Sequence, residues 1–183
     1  MKVVCRFEKV PYDEFEKAFL KHYKYKDSSF IKLIYDEIKL PQRSTNRSSG
    51  YDFFAPYPFT INAGKSVVVP TGIRCVFFED GYDLSIYPRS GLGFKYGIAL
   101  ANTVGIIDND YFEADNFGHI MIKLTVPESL CIDTLGGTIN YVHINAREAF
   151  AQGIIREFFL AEGDEDVEKQ QRTGGFGSTD KNK

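Results

Sequence analysis

The chain has 183 residues, of which 43% are hydrophobic and 26% are charged, and this length and composition suit one globular domain. Its 22 basic and 25 acidic residues give a formal net charge of −3, which argues against a polybasic surface for nucleic acid or anionic membranes. A polyanionic ligand would therefore need a few well-placed cations or a metal ion. No apolar run is long enough to span a bilayer, and the amino terminus becomes charged before any secretory signal develops, so we expect a cytoplasmic chain.

The amino-terminal segment has the pattern of an amphipathic helix. Aromatic side chains recur there at helical spacing, at Tyr12, Phe15, Phe19 and Tyr23. Acidic residues lie near the start of this segment and basic residues near its end, which suits the helix dipole. We predict a helix at about residues 11–25 whose aromatic side chains pack against the rest of the protein. A groove for a partner protein is the alternative.

From Ile31 onward we predict short strands, because apolar residues alternate with polar ones. The alternating sets are residues 67–69, then Ile73, Cys75 and Phe77, then Leu84 and Ile86, and later Ile120, Ile122, Leu124 and Val126. Turn residues separate these sets, at Gly64, Gly72, Asp80 and Gly81. Short strands at this spacing predict a mostly antiparallel β architecture.

The carboxyl end differs in composition from the rest of the chain. From about Glu162 it is acidic and polar, and it then becomes rich in glycine. Such a segment buries too little apolar surface to offset its ordering entropy, so we predict a flexible arm over residues 162–183. Phe176 is an aromatic residue among these glycines. It is either an incidental contact or the adhesive ring of a lid that closes over a ligand.

Residues 88–93 read Pro-Arg-Ser-Gly-Leu-Gly and carry groups that suit a phosphate. Arg89 offers a guanidinium and Ser90 a hydroxyl. Gly91 adds a backbone N–H that a phosphate oxygen can approach closely, because glycine has no side chain in the way. The alternative is an ordinary turn in which Arg89 forms a surface salt bridge.

Residues 105–111 read Gly-Ile-Ile-Asp-Asn-Asp-Tyr and place a carboxylate, Asp108, three residues before an aromatic ring, Tyr111. A carboxylate can accept a proton from water, and the flanking isoleucines would limit access of other solvent. We expect both residues in one hairpin. The alternatives are a turn aspartate and a core tyrosine without a functional role.

With these motifs in this order, the chain resembles the trimeric deoxyuridine triphosphate nucleotidohydrolase (dUTPase) family. The resemblance covers roughly residues 40–179 and the family's five motifs, at residues 50–55, 88–93, 102–111, 150–152 and 174–179. It implies an all-β, mainly antiparallel, jelly-roll-like domain at residues 40–161. Residues 1–39 would be an N-terminal extension that contains the helix, and residues 162–183 a flexible arm that carries the fifth motif. The family also implies a homotrimer.

The resemblance implies an enzyme that hydrolyses dUTP to dUMP and pyrophosphate with Mg²⁺ as cofactor. Asp108 would be the general base for the water that attacks the α-phosphorus. Asn102 would bind the uracil, and Tyr111 would pack under the deoxyribose and leave no room for a 2′-hydroxyl. Asp52 would orient a metal-bound water.

Further residues are implied as contacts of the phosphates and the base. Phosphate oxygens would be bound by Arg89, Ser90, Gly91 and Gln152. When the arm closes, Arg172 would reach a phosphate and Phe176 would stack on the uracil. Arg172 lies one residue closer to Phe176 than the arginine that the family commonly has in this motif.

Two other features depart from the family's pattern. Ala149 stands where the family usually has an arginine, next to the fourth motif. Residues 112–117 are inserted after Tyr111. Their acidic side chains, Glu113 and Asp115, belong either to a solvated bulge or to an additional set of metal ligands.

Two other functions are compatible with this fold. A deoxycytidine triphosphate deaminase would need a glutamate as its acid and base where this chain has Lys123, so deamination is disfavoured. A dUTP-responsive regulatory protein would use residues 1–39 to bind another protein. The intact Asp108 indicates that hydrolysis would persist even then.

Overall fold

The computed structural model describes residues 2–23, 27–134 and 137–169, and short strands dominate these ranges. The strands are β1 (Cys5–Lys9), β2 (Tyr51–Phe54), β3 (Phe59–Asn62), β4 (Ser66–Pro70), β5 (Ile73–Phe77), β6 (Tyr82–Pro88), β7 (Ala99–Leu100), β8 (Gly105–Ile107), β9 (Met121–Thr125), β10 (Ile132–Thr134), β11 (Gly137–Ile139), β12 (Tyr141–Ile144) and β13 (Ala149–Glu157). The helices are α1 (Tyr12–His22), α2 (Ser28–Asp36) and α3 (Ser90–Tyr96), with 3₁₀ turns at Tyr111–Glu113 and Asp164–Asp166.

The strands pair into small antiparallel sheets. The largest has four strands in the order β2-β13-β6-β8, and another has three in the order β4-β9-β7. The pairs β1-β5, β12-β3 and β10-β11 form separate two-stranded sheets. Each of these pairings is antiparallel. The predicted all-β, mainly antiparallel class is confirmed, and the arrangement fits a jelly-roll-like fold.

The alternating apolar positions face the hydrophobic core. Buried side chains on the predicted strands include Ile73, Cys75, Phe77, Leu84, Ile86, Ile122 and Leu124. The turns between these strands carry glycine where the backbone is left-handed, with φ of 67° at Gly64, 71° at Gly72 and 85° at Gly81. The period-two predictions for these strands are confirmed.

Helix α1 lies within the range that the aromatic spacing predicts. It covers Tyr12–His22, somewhat less than residues 11–25, and Pro11 occupies its N-cap position. Phe15 and Phe19 are buried, and the Phe19 ring meets the ring of Tyr57 edge-on, with the centroids 5.0 Å apart. The prediction that these aromatic side chains pack against the body of the protein is confirmed.

Helix α2 corrects the prediction of strands from Ile31 onward. Residues Ser28–Asp36 are helical, and the Oδ1 atom of Asp27 accepts hydrogen bonds from the backbone N–H groups of Ser29, at 2.9 Å, and Phe30, at 3.3 Å. Ile31 and Ile34, three residues apart, are both buried. An N-capping aspartate followed by apolar residues at helical spacing favours a helix over a strand.

The first 39 residues pack into the same core as the sheets. Strand β1 pairs with β5 along its whole length, from Cys5 opposite Phe77 to Lys9 opposite Ile73. Apolar residues of α1, α2 and their flanks belong to the same core cluster as the strands, namely Val10, Phe15, Phe19, Ile31, Ile34 and Ile38. Across the described ranges, no helix combines the length and the apolar character that crossing a bilayer would demand.

Candidate functional site

Three adjacent strands bring the first, second and fourth motifs together. Strand β13 lies between β2 and β6, and Gln152 on β13 faces Asp52 on one side and Tyr87 on the other. The Gln152 amide nitrogen donates to the carbonyl oxygen of Pro88 at 3.1 Å. A Cβ atom at Gly50 would lie only 2.7 Å from the Gln152 amide oxygen. Glycine at this position therefore makes room for the Gln152 side chain.

Arg89 follows β6 directly and pairs with Asp52. The Arg89 Nε atom lies 3.5 Å from Oδ1 of Asp52, whose side chain is largely buried while that of Arg89 is partly exposed. Ser90 and Gly91 begin α3, and both are exposed. No atom lies within 4 Å of the place where a Gly91 side chain would begin. A cation, a hydroxyl and open space at a glycine thus lie next to one another.

Strand β8 carries the third motif along the edge of the same sheet. It pairs antiparallel with β6, with Gly105 opposite Ile86 and Ile107 opposite Leu84. Asp108 follows immediately and is exposed. Its carbonyl oxygen accepts the backbone N–H of Tyr111 at 3.1 Å, so Asp108 and Tyr111 lie in one tight turn.

The predicted hairpin for Asp108 and Tyr111 is wrong. The chain enters a 3₁₀ turn, Tyr111–Glu113, and the strand that pairs with β8 is β6. The physical cause is that further i to i+3 bonds follow the one from Tyr111 to Asp108. The N–H of Glu113 donates to Asp110 and that of Ala114 to Tyr111, each at 3.1 Å, so the backbone continues as a 3₁₀ turn and does not return as a strand.

Asn109 supports this turn, and its role was not expected from the sequence. Its amide nitrogen donates to the carbonyl oxygens of Glu79, at 2.8 Å, and Tyr82, at 3.1 Å. Both amide protons are therefore used to tie the backbone next to Asp108 to the start of β6. The sequence indicates a turn here, because an asparagine lies between two aspartates. It does not indicate the acceptors of Asn109, which lie 27 and 30 residues away along the chain.

Asn102 lies at the opposite end of β8 from Asp108. It is exposed in the turn before the strand, where Thr103 has a left-handed φ of 67°. Its amide nitrogen is 3.7 Å from the point where a Gly105 side chain would begin. The same point is 3.3 Å from Cβ of Ile86, so glycine at 105 lets β8 pack closely on β6 beside the Asn102 amide. The intervening strand, Gly105–Ile107, spans about 10 Å.

Tyr111 is a core residue in this chain. Its side chain is 4% exposed and belongs to the main hydrophobic cluster. The Tyr111 hydroxyl donates to the carbonyl oxygen of His119 at 3.1 Å and accepts from the Asn116 amide at 2.8 Å. Only a small part of the ring can therefore meet a ligand.

The inserted residues 112–117 form a compact loop. Glu113 and Asp115 are exposed, whereas Ala114 between them is buried. Within the part of the chain that the structure describes, no three His, Cys, Asp or Glu side chains group as a metal-binding set. Both acidic side chains of the loop are thus accessible to solvent.

The Asp108 end of the third motif lies at the far end of β6 from the other motifs. Ile107 opposes Leu84, so Asp108 lies near the beginning of β6, whereas Arg89 follows its end. At the rise of an extended strand, this separates Asp108 from Arg89 by roughly 15–20 Å. One chain thus brings Asp52, Arg89 and Gln152 together, and it keeps Asp108 apart from them.

The fifth motif is outside the described residues, and with it Arg172 and Phe176. The last described part of the arm, as far as Lys169, contains the turn Asp164–Asp166. The Lys169 amine donates to a carboxylate oxygen of Asp164 at 2.8 Å. This contact orders the exposed segment that leads toward the fifth motif.

Comparison with known proteins agrees with these motifs. A family model described as dUTPase matches residues 36–180. The deoxyuridine 5′-triphosphate nucleotidohydrolase of Lactococcus lactis is 38% identical over 143 residues, which cover 78% of this chain and 88% of that protein.

Solved structures show the same fold. The dUTPase from Streptococcus mutans is 29% identical, with a TM-score of 0.59, and the match covers 86% of this chain and 98% of that one. A dUTPase from phage phi11 of S. aureus, whose structure concerns the coordination of a structural Mg(II) ion, is 14% identical with a TM-score of 0.59, over 93% of this chain and 98% of that one. From the family match over most of its length and from the identity to the Lactococcus protein, the chain belongs to the dUTPase family.

Proposed function

We propose that this chain hydrolyses dUTP to dUMP and pyrophosphate. The observation that carries the proposal is the convergence of Asp52, Arg89 and Gln152 on neighbouring strands, in a chain related to named dUTP nucleotidohydrolases. Hydrolysis at a phosphorus needs an activated water, a fixed phosphate chain and groups that neutralise the departing charge. The motifs of this chain supply candidates for each of these tasks.

Asp108 is the proposed general base. Its side chain is exposed at the end of β8, on a turn that Asn109 ties to the body of the protein. The water oxygen bonds to the α-phosphorus as the Asp108 carboxylate takes its proton. The bond from the α-phosphorus to the oxygen that bridges it to the β-phosphorus breaks, and the electron pair leaves with pyrophosphate.

Arg89, Ser90, Gly91 and Gln152 are the proposed phosphate contacts. The Arg89 guanidinium is partly exposed and can exchange the carboxylate of Asp52 for phosphate oxygens. Gln152 donates one amide N–H to Pro88, and this bond fixes the direction of the second. These groups would hold the phosphate chain and stabilise the negative charge that develops on it.

Mg²⁺ fits the residues at this end of the sheet. It prefers oxygen ligands and commonly takes most of them from substrate phosphates and water, so a lone carboxylate suffices on the protein side. Asp52 is such a carboxylate, and it lies beside the proposed phosphate contact Arg89. Asp52 would hold a metal-bound water, and the bound ion would supply charge neutralisation at the phosphates.

The deoxyuridine would lie along β8. Asn102 would bind the pairing edge of uracil from the exposed turn before β8, and Tyr111 would present its small exposed part to the sugar. Asn102 and Asp108 are separated by a strand of about 10 Å, enough for a nucleoside between them. A sugar with a 2′-hydroxyl would be excluded by crowding against Tyr111.

The active site is proposed to lie between copies of the chain in a homotrimer. Asp108 and Arg89 of one chain are too far apart to act on neighbouring phosphates, so Asp108 of one chain would face Arg89 of another. Large apolar side chains are exposed near these motifs and near the arm, at Phe94 (96%), Ile106 (56%) and Phe159 (84%). Exposed apolar surface of this kind commonly marks a contact with another chain.

The arm is proposed to complete the site from residues 162–183. Arg172 would contact a phosphate and Phe176 would cover the uracil, which excludes water during hydrolysis.

A deoxynucleotide substrate also favours a cytoplasmic location for the enzyme.

The alternatives have less support. A deaminase would need an acid at position 123, where an exposed lysine lies on β9. For a regulatory role through residues 1–39, Phe15, Phe19 and Ile31 are unavailable because they are buried in the core, and the large apolar side chains exposed among the described residues there are Val3, Leu20, Phe30 and Leu33.

A nucleotide panel tests the proposal. Pyrophosphate release is measured with dUTP, dCTP, dTTP, dATP, dGTP and UTP as substrates, for the wild-type chain and for Asp108→Asn. We expect turnover of dUTP alone by the wild type, and for Asp108→Asn retained dUTP binding with turnover lower by about 100- to 10,000-fold. Comparable hydrolysis of dTTP or UTP would contradict the proposed pocket, and release of ammonia from dCTP would indicate a deaminase.

A further inference from the structure

The loop that contains the inserted residues closes tightly on itself. The carbonyl oxygen of Ala114 accepts the N–H of Phe117 at 2.7 Å, and that of Asn116 accepts the N–H of His119 at 3.0 Å. Gly118 has a left-handed φ of 72°, and a Cβ atom there would lie 2.5 Å from the Cα atom of Phe112. The two ends of the loop therefore touch through backbone atoms, which only glycine at 118 allows.

The Tyr111 hydroxyl forms two hydrogen bonds with this loop, one as donor and one as acceptor. The hydroxyl donates its proton to the carbonyl oxygen of His119 at 3.1 Å. Its oxygen accepts a hydrogen bond from the amide nitrogen of Asn116 at 2.8 Å, which is the shorter of the two contacts. Rotation about χ1, which would swing the whole Tyr111 ring aside, would move the hydroxyl and break both bonds.

The direction of the Asn116 amide is fixed by its other partners. Its Oδ1 atom accepts the backbone N–H of Gly118 at 3.2 Å. A backbone N–H can only donate, so this end of the amide must be the oxygen, and the end that faces Tyr111 must be the nitrogen. Asn116 thus donates to the Tyr111 hydroxyl without ambiguity.

His119 anchors the same loop to the body of the protein. Its ring is fully buried, and its Nε2 atom accepts the backbone N–H of Gly72 at 2.9 Å. The carbonyl oxygen that receives the Tyr111 proton therefore belongs to a residue held on both its backbone and its side chain. The loop is therefore a rigid support for the Tyr111 hydroxyl, with its acidic side chains exposed to solvent.

We propose that Asn116 is a positioning residue for sugar selectivity, because its hydrogen bond holds the hydroxyl end of the Tyr111 ring in place. This inference rests on the proposed function, in which the exposed part of that ring meets the deoxyribose. Exclusion of a 2′-hydroxyl by shape requires that the Tyr111 ring keep its position. A ring held by one hydrogen bond is displaced more readily than a ring held by two. The inserted residues then take part in substrate discrimination.

A double-mutant cycle tests this role. Asn116→Ala, Tyr111→Phe and the double variant are compared with the wild type for kcat and KM with dUTP and with UTP. The control is Asn145→Ala, an exposed asparagine whose amide contacts only Glu148 among the described bonds. Thermal unfolding of each protein reports on stability separately.

We expect the ratio of kcat/KM for dUTP to that for UTP to fall by about 3- to 10-fold in Asn116→Ala, the effect of one hydrogen bond. Tyr111→Phe should lower it at least as much, because it removes both hydroxyl bonds. The double variant should be no worse than Tyr111→Phe, because the bond between the two residues is already absent in that single variant. Asn145→Ala should keep the wild-type ratio.

Two outcomes would overturn the inference. One is a lower melting temperature for Asn116→Ala with an unchanged dUTP to UTP ratio, which is the result of a merely structural role. The other is additive losses in the double variant.

If Asn116→Ala does not fold, Asn116→Asp replaces it, since this variant keeps the acceptor for the Gly118 N–H and loses the donor to Tyr111. A wild-type chain that fails to prefer dUTP over UTP would instead contradict the proposed function itself.

Discussion

At the scale of single residues, short polar side chains hold the backbone around the proposed site. Asn109 uses both amide protons on the carbonyl oxygens of Glu79 and Tyr82, and Gln152 donates to Pro88. Each of these bonds joins segments that are distant in sequence. The sequence shows Asp108, Asn102 and Gln152 as members of short local motifs, but it cannot show the acceptors of Asn109, because these depend on how β6 and β8 pair.

Asn109 offers a direct test of this support. Asn109→Asp keeps the shape of the side chain but replaces both donor protons with a carboxylate oxygen that faces two carbonyl oxygens. We expect a loss of about 1 to 3 kcal/mol in the free energy of unfolding, together with a lower kcat, because the turn that carries Asp108 loses its tether. Urea denaturation and steady-state kinetics measure the two effects. Asn46→Asp, at an exposed position, should change neither, and a stable, fully active Asn109→Asp protein would show that the tether is dispensable.

At the scale of elements, the amino-terminal strand and helices belong to the structural core. Strand β1 pairs with β5, and α1 and α2 bury aromatic and isoleucine side chains against the sheets. The aromatic spacing in the sequence was enough to predict α1. The change from helical to alternating apolar spacing predicts strands from Ile31 onward, but Asp27 and the spacing of Ile31 and Ile34 indicate the capped helix α2 that the structure contains.

Phe15 tests how far α1 contributes to stability. Phe15→Ala should destabilise the protein by about 3 to 5 kcal/mol, because it removes a fully buried ring and leaves a cavity. Leu20→Ala on the same helix removes a side chain that is partly exposed and should cost much less. Urea denaturation at equilibrium gives both values. Equal, small effects would mean that α1 rests on the surface without supporting the core.

The arm is tested by truncation. A chain ending at Lys169 lacks Arg172 and Phe176 and keeps every core residue that the structure describes. We expect kcat for dUTP to fall far more than the melting temperature, because the change removes the proposed cover and leaves the core intact. Kinetics and thermal unfolding of the truncated and full chains measure this difference. An unchanged kcat would contradict the proposal that the arm covers the site.

At the scale of the whole molecule, the register of β6 and β8 separates the proposed base from the phosphate contacts. Ile107 faces Leu84, and Arg89 follows the opposite end of β6. The motifs identify the residues but not their distances, since each motif is local and the register is a property of the folded sheet. The hydrogen bonds between the inserted loop and the Tyr111 hydroxyl also depend on the folded structure, so the sequence alone does not predict them.

The measurement that tests the account most directly is complementation between two inactive variants. Asp108→Asn and Arg89→Gln are each purified, mixed in equal amounts, unfolded together and refolded, and dUTP hydrolysis is then measured. Each variant refolded alone serves as the control. If every site takes Asp108 from one chain and Arg89 from another, random assembly restores about a quarter of the sites and a matching share of wild-type activity. A mixture no more active than the separate variants would contradict a dUTP-hydrolysing site shared between chains.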